Sequence, residues 1–183
     1  MVQIRNATPS DLKDIVDIYN STVASRQVTA DLEPVSVESR RNWFAAHTPE
    51  QYPLWVVQDN SRIAGWLSFS PFYGRPAYRH TAEVSIYLHP EYRRQGLGRV
   101  LLTEAIHHAP TLEFHTLLAF IFSHNTPSLN LFRSLGFEIH GELPNIAVLD
   151  DQERSLTLMG KRIQTPPAHN HTTEEPDSRS IVL

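Results

Sequence analysis

The chain has 183 residues, enough for one domain or one domain with a tail. With 40% hydrophobic and 20% charged residues it can bury a core, and wholesale disorder is excluded. A net charge of -4 argues against a nucleic-acid binder but leaves room for a local basic patch, and the absence of cysteine removes disulfide scaffolds, cysteine-ligated zinc and thiol nucleophiles.

In chain order, strand and helix signals alternate. Val2 to Arg5 reads as a short strand. Thr8-Pro9-Ser10-Asp11 then opens a helix, with Thr8 as N-cap and Pro9 at the first helical position. Leu12, Ile15, Ile18, Tyr19 and Val23 keep a helical spacing, so one face is buried. Ser36 opens a second helix carrying Trp43 and Phe44. The apolar runs Leu54–Val57 and Ile63–Phe69 flank Asp59-Asn60, a hairpin turn signal.

Thr81 to Leu88 is the clearest strand. Ala82, Val84, Ile86 and Leu88 point one way, and Thr81, Glu83, Ser85 and Tyr87 the other. A glycine-containing turn follows, then a helix from about Gly98 to Ala109, stopped by Pro110. Leu117 to Phe122 is an apolar strand. Thr126-Pro127-Ser128 starts another helix, which Gly136 closes. Phe137–Leu143 and Ser155–Lys161 read as closing strands. The expected architecture is α+β: a three-layer α/β/α sandwich with a mixed, mostly antiparallel central sheet. Residues 1–163 form the expected domain. Residues 164–183, rich in Pro, Thr, His and acid, read as a tail.

The chemistry concentrates at Arg93-Arg94-Gln95-Gly96-Leu97-Gly98-Arg99, between a strand and a helix. The first N–H groups of a helix lack internal partners and carry the positive end of its dipole. Glycines let an anion approach them, so such a turn suits phosphate. Three arginines add cations to an acidic chain. The plainer alternative is a glycine-containing turn with solvated arginines. The spacing is neither a GxxxxGK[ST] loop nor a GxGxxG fingerprint.

Arg-x-x-Gly-x-Gly resembles the pyrophosphate loop of the GNAT superfamily of N-acetyltransferases. The stretch from Asn125 through Ser128 to Leu135-Gly136-Phe137 resembles that family's Asn-x-x-Ser…Leu-Gly-Phe helix. Arg75-Pro76-Ala77-Tyr78-Arg79-His80-Thr81-Ala82-Glu83-Val84-Ser85-Ile86-Tyr87 is similar to a stretch of phosphinothricin and methionine sulfoximine acetyltransferases. Val28 to Pro34, followed by Trp43, is similar to the same group. The likeness covers about residues 2–162.

The resemblance implies a GNAT fold and acetyl transfer from acetyl-CoA to an amine. The acceptor it implies is a small amino-acid-like molecule of the phosphinothricin, methionine sulfoximine or methionine sulfone type. It places the pyrophosphate on the N–H groups of Arg94, Gln95, Gly96, Leu97, Gly98 and Arg99, with Arg93 adjacent. It places the pantetheine arm along the backbone of Ile86, Tyr87 and Leu88, with Asn125 and Ser128 bonding the arm or phosphates. Glu83 is the candidate base, with strand packing beside an arginine as its plain alternative. Arg75 and Tyr78, joined by Ser85, are the candidate acceptor residues, against an ordinary loop cation and a surface aromatic.

Two departures stand out. Many relatives carry Tyr, or His in the phosphinothricin enzymes, where this chain has Phe132. Phe132 can only pack beside the arm, and Tyr87 is a weak substitute acid. Asp151-Gln152-Glu153-Arg154-Ser155 lacks the Trp and Asp that close relatives place before the last strand. Alternatives in other classes are a protein N-terminal or lysine acetyltransferase and a silent acyl-CoA-binding module. The ten histidines, His107-His108 included, show no metal-ligand spacing, so no metal is expected. The N-terminus carries no signal-peptide core and no segment approaches the roughly 20 apolar residues of a membrane span. A cytoplasmic protein without nucleic-acid or membrane partners is expected. A homodimer is expected from relatives, with Ile181-Val182-Leu183 as one possible contact.

Overall fold

A computed structural model describes residues 2–163. The tail and its Ile181-Val182-Leu183 end lie outside the described residues. Seven strands form one sheet: β1 (Val2–Asn6), β2 (Leu54–Asp59), β3 (Arg62–Pro71), β4 (Thr81–Leu88), β5 (Thr116–Phe122), β6 (Glu138–Leu149) and β7 (Gln152–Arg162). Their spatial order is β1-β2-β3-β4-β5-β7-β6. All neighbours are antiparallel except β4 and β5, which run parallel. The helices are α1 (Leu12–Val23), α2 (Arg41–Ala45), α3 (Leu97–His108) and α4 (Thr126–Ser134).

Strand alternation sorts side chains onto two cores. Trp55, Val57, Leu67, Phe69, Ala82 and Val84 pack with Leu101, Leu102 and Ala105 of α3 and Phe132 of α4. Leu54, Val56, Ile63 and Trp66 pack with Ile15 and Ile18 of α1, with Trp43, Phe44 and Tyr87 against them. Val57 pairs with Gly65 and Gln58 with Ile63, so Ala64 is the extra residue of a bulge. The bulge puts Ile63 and Trp66 on the same side. Trp66 Nε1 then donates to the Ile15 carbonyl at 3.0 Å, tying α1 to the sheet. Gly65 is required there, because a Cβ would lie 2.5 Å from Leu88 Cδ2 and 2.7 Å from the Tyr87 carbonyl oxygen.

Four sequence-based boundaries shift. The turn Pro9–Asp11 is a 3-10 segment that hands over to α1 at Leu12, and α2 is likewise preceded by a 3-10 turn at Glu38–Arg40. The third helix begins at Leu97 and ends at His108. The closing hairpin is much longer than its apolar runs suggest, because Asp150 and Asp151 take φ values of 48° and 60° and make a tight turn. Pro144 fits within β6 because β6 is the sheet's edge and its pairing slips between Leu143 and Ala147.

The start of α1 is fixed by charge. Arg5 donates from both terminal nitrogens to Asp11, at 2.7 and 2.9 Å, and the Thr8 N–H and hydroxyl bond the same carboxylate. Asp11 is buried. The Arg5 bond, joined by those from Thr8, outweighs its burial and lowers its pKa from 3.8 to about 2. A lowered carboxylate stabilises the fold above its unfolded pKa and loses that contribution as pH falls through the folded one. Asp11→Asn is therefore expected to cost about 2 kcal/mol near neutral pH in urea unfolding. The gap to the parent chain should close as the pH falls from about 4 to about 2.

Candidate active site

The parallel pair β4–β5 is short. Thr81, Ala82 and Glu83 pair with Thr116, Leu117 and Leu118, and pairing then stops. Each strand stays with its outer neighbour: β4 follows β3 to Leu88↔Gly65, and β5 follows β7 to Phe122↔Leu156. The sheet therefore splits from Val84 onward. Val84, Ser85, Ile86 and Tyr87 form one wall of the resulting cleft, and Ala119, Phe120 and Ile121 the other. Val28 of the α1–α2 loop and Asn125, Ser128 and Phe132 of α4 complete it.

The turn after β4 leads into α3 at the mouth of this split. Gly96 is the N-cap with φ +82°, and Arg94 also has a positive φ of 60°. A Cβ at Gly96 would meet nothing within 4 Å, so backbone conformation rather than space demands glycine there. Gly98 answers a packing need: a Cβ would sit 3.0 Å from Leu131 of α4 and 3.6 Å from Leu88. The free N–H groups of the first turn of α3 are thus bordered by exposed Arg93, Arg94 and Arg99. Arg93 Nε donates to the Leu88 carbonyl at 3.2 Å, and Arg99 donates to Ser134 Oγ at 2.8 Å. Gln95 Nε2 donates to the Glu91 carbonyl at 2.7 Å. These residues brace the turn as well as charging it.

Glu83 stands at the last paired position before the split, half-buried on the α1 side of β4. Burial raises its pKa, and a hydrogen bond with the Ser85 side chain offsets part of the rise. Tyr87, on the same face, stacks on Trp66 with ring centroids 4.3 Å apart and lies 5.1 Å from Tyr19. Burial pushes the Tyr87 hydroxyl above the usual range, so it keeps its proton and is a poor acid.

Asn125 is already committed. Its Oδ1 accepts from the Ser128 N–H at 3.2 Å as the N-cap of α4, and its Nδ2 donates to the Gln27 carbonyl at 3.0 Å. With His124 Nε2 bonded to the Arg26 carbonyl at 2.8 Å, it pins the α1–α2 loop to the cleft. Phe132 is buried edge-on against Phe137, 4.9 Å between ring centroids, and lines the cleft.

Arg75 and Tyr78 sit in the exposed loop between β3 and β4. Tyr78 packs with Phe72 and Tyr73, and Phe72 stacks over Phe120 of the cleft wall at 6.5 Å. No described side chain bonds Arg75. The histidines are scattered: His80 and His115 stack at 4.5 Å. Among the described residues, no group of three or more His, Asp or Glu is placed to hold a metal ion. Among them too, no helix is long and apolar enough to cross a membrane.

Sequence reasoning missed a polar cluster facing Tyr87. Tyr19 donates its hydroxyl proton to Asp31 at 2.6 Å and also meets the Thr29 hydroxyl. Arg40 donates to Asp31 at 2.9 Å and lies 4.9 Å over the Tyr19 ring. Tyr19 sits on the apolar stripe of α1, and Asp31 and Arg40 belong to the segment before α2, so only tertiary structure unites them.

The split sheet and the turn suit a long, polyanionic thioester. The cleft offers an unpaired strand edge to an amide-bearing arm, and the turn offers N–H groups and cations to phosphates. The profile of the Acetyltransferase (GNAT) family matches residues 14–137. The chain is 50% identical over 161 residues to a provisionally named phosphinothricin acetyltransferase of Bacillus subtilis, YwnH, covering 87% of this chain and 98% of that one. It is 33% identical to an L-methionine sulfoximine/L-methionine sulfone acetyltransferase of Salmonella typhimurium, covering 85% and 91%. A solved phosphinothricin acetyltransferase of Sinorhizobium meliloti in complex with acetyl-CoA superposes with a TM-score of 0.86 at 31% identity, covering 98% and 99%. The chain belongs to the GNAT family and is an acetyl-CoA-dependent N-acetyltransferase.

Proposed function

We propose that the acceptor is the α-amino group of a small amino-acid-like molecule, of the phosphinothricin, methionine sulfoximine or methionine sulfone type, and that Glu83 is the base. The observation that carries the reading is the place of Glu83, half-buried at the last paired position of β4, beside the point where the sheet splits. The names of the relatives agree with this acceptor class. Acetyl-CoA supplies the acetyl group as a thioester. The pyrophosphate belongs on the N–H groups of Arg94 to Arg99, and the arm along the free edge of Ile86, Tyr87 and Leu88. Ser128 and Phe132 border that arm. Arg75 and Tyr78 close the acceptor side from the β3–β4 loop. The enzyme works in the cytoplasm as a homodimer on this reading.

An α-ammonium group must lose a proton before it can attack a thioester. Glu83 in its ionised form takes that proton, directly or through a water. Burial brings its pKa nearer neutrality, which makes the carboxylate a better base. Ser85 tunes it by donating a hydrogen bond to the charged form. Phe132 holds no proton to give the departing sulfur. None is needed, since a thiol of pKa near 8.5 leaves tolerably as thiolate.

Glu83→Gln is expected to lower kcat at neutral pH roughly 10²- to 10⁴-fold with acetyl-CoA affinity unchanged, checked by thiol release and calorimetry. An unaltered rate removes Glu83 as base. The base is active only above its pKa, so kcat/KM should fall as the pH drops through it. Ser85→Ala should move that acidic limb to higher pH; a limb that stays put contradicts the tuning role. Gly96→Val should raise the KM for acetyl-CoA about tenfold or more, because a β-branched residue pays for a positive φ on the surface that receives phosphate. The acceptor KM should not change.

A further inference from the structure

We propose that Arg40 is the anchor for the acceptor's carboxylate, with Asp31 and Tyr19 as positioning residues that aim it. This rests on the amino-acid acceptor reading above. Arg75 is exposed and bonded to no described side chain, whereas Arg40 is half-buried and held on two sides. One terminal nitrogen bonds Asp31 Oδ2, and the guanidinium lies across the Tyr19 ring. A guanidinium has five N–H donors in a flat fork. One is used among the described residues, which leaves an edge free for a bidentate carboxylate.

The supports are themselves fixed. Asp31 Oδ2 accepts both the Arg40 N–H and the Tyr19 hydroxyl, and Thr29, buried, meets that hydroxyl from the other side. The Tyr19 ring continues the stack of Tyr87 on Trp66, so the guanidinium is docked onto the wall that carries the base. Tyr87 adds a second donor. Its hydroxyl bonds no described group, and its ring lies 5.1 Å from that of Tyr19, over which the Arg40 guanidinium sits. That hydroxyl stays protonated throughout the working pH range.

The spacing suits an amino acid. Glu83 and Tyr87 are four residues apart on one face of β4, about 13 Å between their Cα atoms. A zwitterion with its ammonium at Glu83 turns its carboxylate toward Tyr87 and Arg40, leaving Arg75 and Tyr78 for the distal phosphinate, sulfoximine or sulfone.

The test compares methionine sulfone with its carboxamide, which keeps the amine and loses the charge. Wild type, Arg40→Gln, Arg40→Lys and Asp31→Asn are each assayed with both acceptors. Arg40→Gln should raise the KM for methionine sulfone roughly 10- to 100-fold, the loss of a charge-assisted pair. The carboxamide KM, the acetyl-CoA KM and kcat should stay near wild type. Arg40→Lys should recover part of the loss, and Asp31→Asn should show a smaller one of the same pattern. Each preference is a ratio within one protein, so a partly unfolded variant does not distort it. If wild type takes methionine sulfone and Arg40→Gln raises both KM values together or neither, the anchor is wrong and the acceptor reading survives. If wild type acetylates only amines without a carboxylate, the acceptor reading falls and the anchor with it.

Discussion

The parting of β4 from β5 is the constraint on which the site depends. The two strands share three paired positions and then follow different outer neighbours. A closed sheet would hide the facing polar edges of β4 and β5; an open one exposes both. An open edge inside the sheet is a ready template for an added strand-like partner. The acetyl donor of this family has an amide-rich arm that can take that place. The same split leaves Glu83 as the last residue with β5 beside it, which accounts for its burial next to the cleft.

The surrounding elements serve to keep the split at a fixed width. On one side the bulge at Ala64 and the Trp66–Ile15 hydrogen bond lock β3, and so β4, to α1. On the other, α4 packs Phe132 against Phe137 below β5, and Gly98 lets α3 approach Leu131 of α4. Asn125 joins the two halves. It caps α4 and holds the Gln27 carbonyl, so the helix and the α1–α2 loop that border the cleft share one side chain. A loss at Asn125 would loosen both.

Much of this was legible in the residues. The alternation along Thr81–Leu88 put Glu83, Ser85 and Tyr87 on one face, and they are there. The Gly96 and Gly98 positions marked the helix entrance, and the two motifs in order pointed to the family. What stayed hidden depends on distance in the chain. Tyr19 looks like one more core aromatic of α1, and nothing near Arg40 in sequence marks it; Asp31 brings them together across 12 and 9 residues. The two bonds that hold Asn125, as the cap of α4 and to Gln27 98 residues away, leave no trace in local pattern. The length of the closing hairpin was masked by Pro144, which is tolerated only because β6 lies at the edge.

The central claim is that the free edge of β4 and the turn before α3 receive the acetyl donor. Backbone hydrogen exchange, followed with and without coenzyme A, tests it most directly. Val84 to Leu88 and Gln95 to Arg99 should gain protection on binding, while β1 and β2 should not change. Binding that leaves both segments as exchangeable as before would contradict the account.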